Sequence, residues 1–161
     1  MAAPTPLAIG TRTGQTGRKI DQGYQVLIGL SNSLAVNFWE ISVKPPGIDG
    51  GDAIDTSTQF NTAVHTSRAR FLKKITDAGA KVQFDADCLS SCYAQVNVEQ
   101  VITIFFPDGD RYTFFGYLKS FMPGDMAEGA KPEADIVIVV TNWDYINGVE
   151  AVPVFSAASG T

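Results

Sequence analysis

Histidine all but disappears from this chain of 161 residues: His65 stands alone. That confines imidazole acid–base chemistry to one position. A Ser-His-Asp arrangement needs only one histidine, but no Gly-x-Ser-x-Gly elbow is there to present the serine. Gly-x-x-x-x-Gly-Lys-[Ser/Thr] and Gly-x-Gly-x-x-Gly are also missing, so nothing is laid out to cradle a phosphate. Cysteine is limited to Cys88 and Cys92. Four apart on a helix, they share a face. They read as two small apolar core residues rather than a disulfide or a metal pair, because a metal would need further ligands. Asp49, Asp52 and Asp55 lack the EF-hand spacing with its distal Glu, and read as a polar turn leading into a strand. No catalytic site, metal or cofactor is expected.

Charge is scarce too. Charged residues make up 18% of the chain, below the roughly 25% of ordinary soluble domains. A surface so poor in charge fits one that is partly hidden in contacts with other copies. The net charge is −5, which opposes free nucleic-acid binding, where a basic stripe is the rule. The local exception is Arg68, Arg70, Lys73 and Lys74, read as a solvated charged loop. No apolar run approaches the roughly 20 residues of a membrane span. The start, Met-Ala-Ala-Pro-Thr-Pro, shows no basic region followed by an apolar one. The expectation is a soluble protein, made and assembled in a cytoplasm.

What the chain does have is alternation. Tyr24, Val26, Ile28 and Leu30 alternate with other residues, as do Trp39, Ile41 and Val43, and then Ile54 to Phe60 against Asp55, Ser57 and Gln59. Ala80, Val82 and Phe84 follow, and Ala134, Ile136, Ile138 and Val140. A period of two puts one face of each strand into a core. Val101 to Phe106 and Tyr112 to Phe121 are apolar at both parities, so both faces need cover. Pro107-Asp108-Gly109-Asp110 joins them as a hairpin turn, Pro fixing φ and Gly accepting a positive one. One helix of about three turns is expected, capped by Asp85 or Asp87, with Cys88, Cys92 and Val96 on one face beside Leu89. The predicted fold is mainly β: a β-sandwich or barrel of two packed antiparallel sheets flanked by one short α-helix. Residues 1–20 read as an extended N-terminal arm, 21–155 as the β domain and 156–161 as a flexible C-terminal tail.

Two segments have no period. Lys44 to Asp52 holds two prolines and three glycines, and Asn61 to Lys74 is polar and carries His65 and the basic cluster. Long loops in a compact domain are usually functional or mobile. With sheet edges to pair and arms that order on contact, these are the parts of a self-assembling subunit.

Three stretches carry a family likeness. Phe38 to Thr58 (F-W-E-I-S-V-K-P-P-G-I-D-G-G-D-A-I-D-T-S-T) resembles the segment of siphophage, lambda-like, major tail tube proteins in which a strand runs through a Pro/Gly/Asp loop into a Thr-rich strand. Phe105 to Gly124, with its Pro-Asp-Gly turn and Gly-Tyr-Leu-x-Ser-Phe-x-Pro-Gly run, resembles that family's hairpin. Glu128 to Asn142 is similar to its last core strand. The likeness spans residues 38 to 155. It implies hexameric rings that stack into a hollow virion tail tube around a tape measure protein. Tail tip and tail terminator proteins would sit at the ends, and DNA would pass through without specific binding. It further implies an inter-ring loop at Pro45, Pro46, Gly47, Ile48, Asp49, Gly50, Gly51 and Asp52. A loop that is mobile until assembly is expected at His65, Arg68, Arg70, Lys73 and Lys74. Asp55, Ser57 and Gln59 are expected to face an acidic lumen, with the outer wall as the alternative.

Competing expectations remain. A bacteriocin tube, a secretion-system tube or a tail terminator shares the same physics. From another class comes a monomeric ligand-binding β-sandwich, with Trp39, Trp143, Tyr112 and Tyr117 as stacking platforms. An exposed aromatic cleft on a monomer favours that reading.

Overall fold

A computed structural model describes residue 23 and residues 26–31, 38–86 and 89–157. The expected N-terminal arm, Tyr24, Asp87 and Cys88, and all but the first two residues of the expected C-terminal tail lie outside the described residues. The fold is mainly β. Thirteen strands and one helix occur among the described residues. Six of the strands form the frame: β1 (Leu27–Leu30), β2 (Trp39–Lys44), β7 (Ala78–Gln83), β8 (Gln100–Phe105), β9 (Arg111–Pro123) and β10 (Glu133–Val140). They lie in the order β1-β8-β9-β10-β7-β2, all antiparallel, and β13 (Val154–Ser156) adds to β9. Ser156, expected to open the tail, pairs with Arg111.

Alternation in sequence becomes alternation in burial. Gln100, Ile102 and Ile104 of β8 are buried, and the residues between them are half-buried. Ala134, Ile136, Ile138 and Val140 do the same on β10. Across the β10·β7 ladder the large side chains oppose small ones, Ile136 facing Ala80 and Ile138 facing Ala78. This complementarity suits the close packing of a protein interior. Full burial of Ile102, Ile104, Leu118 and Ile138 contributes about 2–3 kcal/mol per side chain relative to exposure. Gln100 is buried as well, and its amide donates to Gln95 Oε1 at 3.3 Å.

The sheet is curled rather than flat. Ladder irregularities between Glu40 and Ser42 on β2, and between Val137 and Ile138 opposite β9, insert extra residues that add local twist. The end strands β1 and β2 therefore approach each other. No backbone ladder joins them; the Glu40 carboxylate accepts the Ile28 N–H at 2.9 Å instead. The expected sandwich or barrel thus takes the form of one curled sheet with a side chain bridging its seam.

Among the described residues the helix α1 spans Leu89–Gln95, where about three turns are expected. Asn97 stops it, adopting a left-handed φ of 62° while its N–H bonds the Leu118 carbonyl at 2.9 Å. The helix is thereby pinned to β9. Cys92 is a fully buried thiol in the core, as an apolar reading of that cysteine requires. Tyr93 meets Phe121 edge-on, with ring centroids 6.4 Å apart. The turn at residues 107–110 forms as read: Gly109 has φ 93°, and the Phe106 N–H reaches the Asp110 carbonyl at 2.9 Å.

Candidate assembly surface

Between β2 and β7 the chain leaves the frame. Pro45 and Pro46 have no N–H to offer, so the β2 ladder ends at Lys44. Gly47 and Thr76 then clamp the exit, each donating its backbone N–H to the other, the Gly47 N–H to Thr76 Oγ1 at 2.8 Å and the Thr76 N–H to the Gly47 carbonyl at 2.9 Å. Beyond the clamp, β3 (Ile48–Asp49) pairs with β6 (Lys74–Ile75), and β4 (Ile54–Asp55) pairs with β5 (Ser67–Arg68), both antiparallel. Residues 48–75 are therefore one extended two-stranded arm. Between its two ladders the Asp49 carboxylate accepts the Gly51 N–H, Gly51 takes φ 72°, and Arg70 Nε bonds the Asp52 carbonyl at 2.9 Å.

The arm ends in a tip built by side-chain-to-backbone bonds. Asp55 accepts the Ser57 N–H, the Ser57 hydroxyl accepts the Thr66 N–H, and Asn61 accepts the Thr58 N–H. These bonds compete with a ladder for the same donors. They explain why the expected strand from Ile54 to Phe60 shrinks to Ile54–Asp55. The Ser57 bonds also hold the Asp55 carboxyl below its ordinary value, the side-chain hydroxyl first and the backbone N–H second.

Ser57 and His65 come together here, with Oγ 3.1 Å from Nδ1. Asp55 bonds Ser57 rather than His65, and the Ser57 hydroxyl is tied to the Thr66 backbone. That order of bonds builds a turn; a triad would set the carboxylate on the imidazole. The hollow beside the pair measures about 200 Å³, below the roughly 300 Å³ at which small-molecule sites begin.

All three groups singled out in the sequence sit on this arm. Pro45 to Asp52 make its base and the start of its outgoing strand, Asp55, Ser57 and Gln59 its distal outgoing part, and His65, Arg68, Arg70, Lys73 and Lys74 its return. The two separate loops of the sequence reading are opposite sides of one ribbon: Ile48 faces Ile75 and Asp49 faces Lys74. Sequence reasoning missed the arm's apolar cargo. Phe71 is 94% exposed, Phe60 84% and Leu72 78%. The signal was there in Arg70-Phe71-Leu72-Lys73, an apolar pair set in a basic segment with no core period.

A second exposed apolar surface lies at the other end of the chain. The strands β11 (Trp143–Asp144) and β12 (Val149–Glu150) form a hairpin, and Tyr145 packs edge-on against Phe115 of β9. Trp143, Ile146 and Val149 on this hairpin are exposed, as are Val154 and Phe155 on β13. The candidate stacking residues do not converge. Trp39 lies over a groove of about 400 Å³ beside the seam, lined also by Leu27, Ile41 and Lys131, and Trp143, Tyr112 and Tyr117 take no part in it. Burial raises the Tyr112 phenol above its ordinary pKa.

No protein-family model matches the chain, and no curated protein sequence matches it significantly. Among solved structures, the fold is similar to a chain in the cryo-EM structure of the anti-feeding prophage (AFP) baseplate, 6-fold symmetrised. The TM-score is 0.56 over 83% of this chain and 92% of that one, at 8% identity. At that identity the likeness is one of fold.

Proposed function

We propose that this chain is a structural subunit of a phage-tail-type assembly and, within it, the repeating subunit of the tail tube. The observation that carries the reading is the arm. It leaves the core sheet, is organised by its own bonds, and exposes Phe60, Phe71 and Leu72 to water. Apolar groups held out in this way are a surface for another chain. The fold likeness to a component of a six-fold symmetrised baseplate supports a ring-forming subunit in a tail-like particle. The resemblance of residues 38 to 155 to siphophage tube proteins supports the finer reading. In it, hexameric rings stack around a tape measure protein between tail tip and terminator. The site of action is the virion tail, assembled in the host cytoplasm, and the tube conducts DNA.

The baseplate likeness favours a second reading, a related ring-former of a bacteriocin or secretion-type particle. In the tube reading, Asp55, Ser57 and Gln59 border the lumen, and Asp55→Lys slows DNA delivery from tubes that still assemble. Unchanged delivery places those residues on the outer wall.

Electron microscopy of the concentrated protein, with and without tail tips, tests the function. Rings or hollow filaments are expected. A chain that stays monomeric even with tail tips present overturns the tube.

A further inference from the structure

The return side of the arm and the C-terminal hairpin are opposite in charge and alike in apolarity, while Asp49, Asp52 and Asp55 lie on the arm's outgoing side. Residues 56–76 contain Arg68, Arg70, Lys73 and Lys74 and no carboxylate. The remaining eight cations of the 12 share the rest of the chain with all 17 carboxylates. The imbalance is steepest at the end: no Lys or Arg follows Lys131, whereas Glu133, Asp135, Asp144 and Glu150 do. Asp144 and Glu150 stand on the same hairpin as exposed Trp143, Ile146 and Val149. Asp144 is fixed there by the Asn147 amide at 2.7 Å and by the N–H groups of Ile146 and Asn147. On the arm, exposed Phe71 and Leu72 are flanked by Arg70 and Lys73. Each surface is an apolar centre with charge around it, and the charges have opposite sign.

We infer that the return side of the arm of one copy, between its two ladders, docks on the C-terminal hairpin of a second copy. Phe71 and Leu72 cover Trp143, Ile146 and Val149, while Arg68, Arg70 and Lys73 face Asp144 and Glu150. The inference rests on the reading of the arm as an inter-subunit element and names the surface that receives it. Apolar burial holds the pair, and the charges set its register and speed its formation. The contact is heterologous. Each docked copy still offers its own hairpin or its own arm, so growth continues until a ring closes or a stack ends.

The test uses the whole chain and substitutions at exposed positions away from the bonds that build either surface. Lys73→Glu and Phe71→Ser alter the arm, and Glu150→Lys and Ile146→Ser alter the hairpin. Self-association is read by sedimentation across a concentration series. Each single variant is expected to weaken it about tenfold, and Lys73→Glu combined with Glu150→Lys is expected to recover most of the loss. If the arm variants weaken association and both hairpin variants leave it unchanged, the arm remains an assembly element and this docking is wrong. If neither set has an effect, both readings fall. A wild-type chain still monomeric at about 1 mM also overturns the docking, whatever tail tips achieve.

Discussion

Gly116 lies on β9 where the ladder to β8 ends and the ladder to β10 begins, pairing with Gln100 on one side and Val140 on the other. A Cβ there would run into the Val139 carbonyl oxygen. Backbone cannot step aside as a side chain can, so β9 and β10 must separate. Gly116→Ala is expected to cost about 3 kcal/mol, read as a lower urea midpoint at unchanged slope. Glu40 holds the seam through a single bond to Ile28. Glu40→Ala is expected to cost about 1–3 kcal/mol, whereas Glu40→Gln keeps an acceptor and loses less; equal losses would mean the seam does not depend on that bond. Asp144 acts on the hairpin. Its carboxyl is held below the ordinary value by the Asn147 side chain first, then by the Asn147 and Ile146 N–H groups. A depressed folded pKa means the stabilisation is present above the unfolded value. It is lost as pH falls below about 4, through the folded pKa. The Ile146 and Asn147 amides should lose protection from exchange in that window. Asn147→Ala should move the change upward; protection independent of pH would remove Asp144 from the account.

At the scale of elements, the arm is separable from the frame. Its strands pair with each other, and its base is closed by the reciprocal Gly47 and Thr76 bonds. Replacing residues 48–74 by a short turn should leave the thermal midpoint within about 3 °C, because no buried core residue is lost and Ile75, half-buried against the core, is kept. The shortened chain should not form stacks, and normal stacking would end the arm's role. The frame strand β10 was legible because β-branched residues alternate along it, β8 and β9 because unbroken apolar runs rich in β-branched and aromatic residues flank Pro107 to Asp110, which could only be a turn. The arm was not legible. Its ladders are two residues long, Ile48 pairs with a residue 27 positions away, and local side-chain bonds at Asp49, Asp55, Ser57 and Asn61 decide its path. Period detects burial, and of the arm's residues only Ile75, at its base, packs against the core. The helix was legible in place through Cys92, and its stop next to Val96 is fixed by a backbone conformation of Asn97 that no sequence period shows.

For the molecule as a whole, charge separation between the return side of the arm and the remainder predicts salt dependence. Raising salt from about 0.05 to 0.5 M shortens the screening length from roughly 14 to 4 Å. Assembly through the arm should weaken several-fold over that range, and an arm-deleted chain should show no such response by light scattering. The site was legible as residues before it was legible as a shape: the basic cluster and the Pro/Gly run were both picked out, but only the fold shows that they face each other. That shape has a mechanical side. The arm connects β2 to β7, and β7 is laddered to β10 over six residue pairs. A pull on the arm in the direction of β7 would load those pairs together, in shear, instead of peeling them one after another. In the proposed tube, a subunit gripped by its arm would bear tension along the strands without unzipping, as each link of a hanging chain must.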